Sequence, residues 1–141
     1  MSDHRNLKVF RLSNANALAL YKGTRGIKGS DNLSIRTQMI RSAFSIPGNL
    51  VEGNKAPTPK KFRQHVQTAI DSSHEVDYHL ETLRDLELFA AGKANIGLKN
   101  NEEVRKMLSG LWSYLDLKVK EEERKRKKKK PPEASEDEDQ N

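Results

Sequence analysis

Residues 57–92 read PTPKKFRQHVQTAIDSSHEVDYHLETLRDLELFAAG, and this stretch decides the fold. Phe62, Val66, Ala69, Ser73, Val76, Leu80 and Leu83 alternate steps of four and three, the spacing of a heptad seam on one helix face. Ile70 and Leu86 widen the stripe beyond a bare two-stranded seam. Thr58 is a good capping residue and Pro59 suits the first helical position, while Ala90-Ala91-Gly92 marks an end. The pattern predicts a helix over 59–89, roughly 45 Å long at about 1.5 Å per residue.

Three further helices flank it. Asn100 or Asn101 is expected to cap the last, with Glu102 and Glu103 in its first turn, where the helix dipole favours acids. Its stripe is Val104, Leu108, Leu111, Leu115 and Val119, with Met107 and Trp112 beside it. Glu121–Lys125, Glu122–Arg126 and Glu123–Lys127 form acid-to-base pairs one turn apart that extend the helix until Pro131-Pro132 stops it. A helix over 32–52 uses Leu33, Met39, Ile40, Ala43, Phe44, Ile46, Leu50 and Val51, with a kink or break expected at Pro47-Gly48. The first helix, over 7–22, has Phe10, Ala17, Leu18 and Tyr21 as its face, weakened by Asn14 and Asn16. Gly23, Gly26 and Gly29 punctuate the connection after it. Four amphipathic helices with short connections, and no strand-like alternation, predict an all-α, antiparallel up-and-down four-helix bundle.

Composition fits one small domain with a charged tail. The 141 residues are 34% apolar, but 118–141 contribute only Val119 and Ala134 to that share. The domain is therefore placed at 1–117, a basic helical extension at 118–130 and an acidic disordered tail at 131–141. No cysteine is present, which removes disulfides, thiol nucleophiles and Cys-based zinc sites. No apolar run approaches the roughly 18–20 residues a membrane span needs, and the start lacks a secretory apolar core, so a cytoplasmic protein with no membrane partner is expected.

Charge is segregated along the chain. Residues 1–63 carry 12 basic and 3 acidic groups, whereas 64–89 carry Arg84 against six acids. One basic and one acidic surface follow, suited to an anionic polymer or to complementary neighbouring subunits. Arg36, Arg41, Lys55, Lys60, Lys61 and Arg63 gather around one helix–helix connection, and Arg124, Lys125, Arg126, Lys127, Lys128, Lys129 and Lys130 form an unbroken basic run. Lys60 and Lys61 sit in a first helical turn, where cations oppose the dipole, which favours a binding role over a stabilising one. These thirteen residues are the candidate nucleic-acid contacts, and solvation or pairing with a neighbouring subunit is the competing reading. The acids at 133–139 are expected to fold back on the basic run and compete with nucleic acid, or simply to solubilise the chain. No interleaved aromatics favour sequence-specific reading of single strands.

Other constellations carry less chemistry. Asp71, Glu75 and His79 line one helix face, but a di-iron bundle needs Glu-x-x-His motifs on two helices, so a polar face is expected and no metal. Glu52 alone is a poor catalytic carboxylate; burial against backbone donors freed by Pro47, or pairing with Arg41, is expected. Trp112 and Tyr114 are expected at a core or interface edge. Nothing forms a nucleophile–base pair or a phosphate-cradling loop, so no enzyme and no cofactor are expected.

Residues 38–53, QMIRSAFSIPGNLVEG, resemble a known family. The run Ser45-Ile46-Pro47-x-Asn49-Leu50-x-Glu52-Gly53, then Lys55, Lys60, Lys61 and the helix-opening Phe62, is similar to the proteins encoded within intervening sequences of bacterial large-subunit ribosomal RNA genes. The similarity covers residues 7–117, and Ser45, Ile46, Pro47, Asn49, Glu52, Gly53 and Phe62 are its structural motif. It implies a four-helix bundle that assembles as a ring-shaped homopentamer. A related branch, the accessory proteins of diversity-generating retroelements, binds nucleic acid through a basic surface and associates with a reverse transcriptase. The basic run and acidic end depart from the family pattern. The expected function is non-enzymatic binding of RNA, DNA or an RNA/DNA hybrid with low sequence specificity, possible support of a reverse transcriptase included; the alternative is a protein–protein scaffold that binds no nucleic acid.

Overall fold

A computed structural model describes residues 3–129 and is helical throughout its regular parts. A single 3₁₀ turn, His4–Asn6, precedes α1 (Lys8–Gly23), α2 (Ser30–Lys55), α3 (Pro59–Asp85) and α4 (Ala91–Lys129). Each helix packs on its chain neighbours and α4 closes on α1, while the backbones of α1 and α3, and of α2 and α4, stand farther apart across the core. The helices therefore stand at the corners of a square, with α1 diagonal to α3. The acidic segment 131–141 and Pro131-Pro132 lie outside the described residues.

The seam of α3 is the floor of the core. Val66, Ala69, Ser73, Val76, Leu80 and Leu83 are all buried and Phe62 packs at their edge. Met39, Ala43, Ile46 and Leu50 of α2 and Val104, Leu108 and Leu115 of α4 meet them. Thr58 caps α3 as its sequence predicts, its Oγ1 accepting from the Lys61 amide at 3.2 Å.

Three boundaries differ from the sequence expectation. Helix α3 stops at Asp85, not at 89, because Glu87 turns left-handed at φ 59°. The Leu88 amide then donates to the Leu83 carbonyl at 2.9 Å and the Glu87 amide to Arg84 at 3.0 Å, a Schellman closure with glutamate where glycine is usual. Leu86, expected to widen the seam, lies past the helix end and is exposed.

Helix α4 begins at Ala91, ten residues before Asn101, so the segment 90–92 opens a helix instead of ending one. Gly97 explains the helical use of a glycine-bearing segment. A Cβ there would lie 2.9 Å from Leu20 Cδ2 and 3.2 Å from Leu80 Cδ1, so its absence lets three helices approach. Asn101 is not a cap but a buried bridge, its Nδ2 donating to the Ser73 carbonyl and to Asp77 Oδ1, both at 2.7 Å.

Helix α2 starts at Ser30 and passes unbroken through Pro47. The proline removes one backbone donor; Asn49 Nδ2 donates to the Ser45 carbonyl at 2.8 Å in the same turn. The face of α1 also shifts. Val9, Ser13, Asn16, Ala17 and Leu20 are buried, with Asn16 Nδ2 reaching the Gly97 carbonyl at 3.4 Å, whereas Leu18 and Tyr21 point out to solvent.

Candidate nucleic-acid interface

The family-like motif builds the platform of the basic turn. Ile46 and Pro47 are buried, Ser45 Oγ and Ser72 Oγ share a hydrogen bond of 2.9 Å, and Asn49 Oδ1 faces His65 Nδ1 at 3.1 Å. These contacts tie the second half of α2 to the first half of α3. Gly53 completes the junction, because a Cβ there would run into the Phe62 ring and approach His65 Cβ to 3.1 Å. Glu52 departs from its expected role: it is exposed and makes no ion pair with Arg41, which is exposed too. Eleven residues of α2, about 16 Å at ~1.5 Å per residue, separate it from Arg41, so the carboxylate stays in water.

The short connection 56–58 therefore holds Lys55, Lys60 and Lys61 together at one end of the bundle, all exposed and none ion-paired. The other three arginines and lysines assigned to this turn behave differently. Arg63 is only 24% exposed; its Nη1 makes a 2.6 Å ion pair with Asp116 and its guanidinium lies 5.7 Å from the Trp112 ring. Arg36 stands at the opposite end, about 28 Å from Lys55 along α2 at ~1.5 Å per residue. Its Nε donates to Thr24 Oγ1 at 2.9 Å and its Nη2 to the Tyr21 carbonyl at 3.1 Å, locking the α1–α2 connection. Arg41 lies about 21 Å from Lys55 by the same measure. Proximity in sequence to the turn did not translate into proximity in space, since a long helix carries its early residues away.

The Arg63–Asp116 pair also fixes the height of α4 against the start of α3. Asp116 further takes Lys120 Nζ at 2.9 Å, and hydrogen bonds from Lys120 and then Arg63 hold its carboxyl below the ordinary range. Beyond Lys120, α4 passes the first turn of α3 and overhangs the bundle by about 14 Å at ~1.5 Å per residue. Glu121 to Lys129 are all exposed. The three expected pairs from Glu121, Glu122 and Glu123 do not close to ion-pair distance, which is the usual behaviour of long side chains in water. Arg124, Lys125, Arg126, Lys127, Lys128 and Lys129 thus surround the overhang, and Lys130 lies outside the described residues.

Tyr114 was missed as a member of this end. It is 54% exposed, with Lys118 Nζ 5.1 Å from its ring centroid, and it lines a groove with Pro57, Pro59 and Phe62. Sequence separation of more than fifty residues hid it from a search for aromatics near the lysines. Trp112, by contrast, is half-buried as a core-edge residue.

The acidic row on α3 serves local contacts: Glu75 Oε2 accepts from Ser42 Oγ at 3.1 Å and Asp71 Oδ1 from Gln67 at 3.1 Å. Among the described residues no three His, Asp or Glu are placed to hold a metal ion, and no helix is long and apolar enough to cross a membrane. No curated protein matches the chain. A family model does: the one described as 23S rRNA-intervening sequence protein, over residues 5–110. The overhang lies beyond that span.

Proposed function

The chain belongs to the 23S rRNA-intervening sequence protein family, and on that premise we propose that it is a non-enzymatic, cytoplasmic nucleic-acid-binding protein that grips RNA or an RNA/DNA hybrid by its phosphates. One observation carries this reading. Lys55, Lys60 and Lys61 share an end of the bundle with the exposed Arg124–Lys129 helix, and no acid of the described residues stands within ion-pair distance of either group. Cations left unpaired in a chain that pairs Arg63, Arg84 and Arg105 are available to a polyanion.

The chemistry is electrostatic positioning. Each phosphate neutralised releases counterions, so engagement of about five duplex phosphates gives a log K against log salt slope of about −4 to −5. Tyr114 adds a face on which an unpaired base can stack, a contact worth about 1–3 kcal/mol and tolerant of sequence. A homopentameric ring would present five such ends on one side, a surface on which a reverse transcriptase and its template can be held together.

Binding of RNA, duplex DNA and hybrid by the full chain, measured across a salt series, tests the proposal. Tight binding with the stated slope, abolished by neutralising Lys55, Lys60, Lys61 and 124–130 together, supports it. Absence of binding near physiological salt overturns it in favour of a protein–protein scaffold.

A further inference from the structure

Helices α1 and α3 occupy diagonal corners, so their outer faces lie on different sides of the bundle. Those faces are opposite in charge. Helix α1 contains Lys8, Arg11 and Lys22 and no acidic residue. The outer face of α3 from Gln64 onward exposes Asp71, Glu81 and Asp85, and Arg84 beside them is engaged with Asp85 and Asn95. Each face also shows apolar surface that the fold leaves uncovered: Leu12 and Leu18 (42% exposed) on α1, Tyr78 (66% exposed) on α3.

The two faces are in register. Leu20 and Leu80 both close on Gly97, so they stand at one height along the bundle. Successive helices are antiparallel, so α1 and α3 rise in the same direction, at the same ~1.5 Å per residue. Arg11 therefore stands level with Asp71, Leu18 with Tyr78, and Lys22 with Glu81 and Thr82. Two copies placed side by side, with their axes parallel and at equal height, bring Arg11 and Lys22 each to an acid and Leu18 to Tyr78. A face-to-itself contact does the reverse, setting cations on cations or acids on acids.

We infer that the outer face of α1 in one copy docks on the outer face of α3 in the next, a head-to-tail contact centred on Leu18 and Tyr78 and flanked by Arg11–Asp71 and Lys22–Glu81. Because each copy keeps one unused face of each kind, the contact is heterologous and passes from copy to copy, closing into a ring when a rotation about an axis parallel to the helices relates successive copies. The inference rests on the self-assembly included in the proposed function, and it names the surfaces that assembly uses.

Native mass spectrometry of the full chain, 16.0 kDa per copy, provides the test. The unmodified protein runs as an oligomer; R11E/K22E and D71K/E81K each fall to the single-chain mass with unchanged helical circular dichroism; the fourfold variant carrying both reversals recovers the oligomer. Independently, L18C/Y78C in the otherwise cysteine-free chain gives a covalent ladder on oxidation, whereas neither single cysteine does. An oligomer that survives both reversals and yields no ladder overturns the docking faces while leaving assembly intact. A single-chain mass for the unmodified protein at all concentrations overturns both.

Discussion

Two sets of cations, one at each end of the bundle, are treated in opposite ways. At the end formed by the α1–α2 and α3–α4 connections, Arg36 is bonded to Thr24 and Tyr21, and Arg84 to Asp85 and Asn95. At the other end Lys55, Lys60 and Lys61 contact no acid, and the basic turns of α4 stand clear of the fold. The first set closes connections; the second is left to whatever arrives from solution. Net charge alone, +6 for the chain, does not distinguish a cation that holds a loop from one that awaits a ligand.

The contrast can be broken most severely by removing the free set. Glutamine at Lys55, Lys60, Lys61 and 124–129 should flatten the salt slope toward zero and weaken polyanion binding by roughly three orders of magnitude at low salt, read by fluorescence anisotropy. Gly53→Ala is next. Its methyl displaces Phe62 beneath the lysines, and overpacking of this kind costs about 1–3 kcal/mol in a chemical denaturation curve. At the tied end, Arg36→Ala should lower stability by about 1–2 kcal/mol through its two lost hydrogen bonds and leave nucleic-acid affinity unchanged. Lys60→Gln should do the converse, staying within about 0.5 kcal/mol in stability and reducing the salt slope by about 0.9. If Arg36 and Lys60 variants behave alike in both assays, the division between the ends is wrong.

The smallest effect concerns pH. Lys120 first, and Arg63 with it, hold the Asp116 carboxyl below its ordinary value. The stability this carboxylate contributes is complete above its unfolded pKa of about 3.9 and disappears as pH falls through the lower folded value. Thermal melts of Asp116→Asn should therefore differ from those of the unmodified chain near neutrality and converge with them in strong acid.

Much of the fold was legible because its signals are local. The seam of α3 and the Thr58 cap depend on residues within a few turns of one another, and burial follows the spacing. The start of α4 was not legible, since Gly92 reads as an end until Leu20 and Leu80 are seen closing on Gly97. The end of α3 was hidden by Glu87, which adopts a backbone conformation that sequence reasoning assigns to glycine. At the candidate site, the basic residues were visible but their engagement was not. Arg63 is taken by Asp116, fifty-three residues on, and Arg36 is carried to the far end by its own helix. Tyr114 arrives beside the lysines only through the antiparallel return of α4.

Helix α4 runs as one piece from Ala91 to Lys129, 39 residues, about 58 Å at ~1.5 Å per residue. About its first three quarters are clamped in the core and its last turns hold the cations, so it acts as a lever arm with its fulcrum near Val119. A ligand seized at the tip is held at a set bearing and reach from the fold. A hinge cut into the arm, such as a proline at Lys120, would leave the grip but lose the aim.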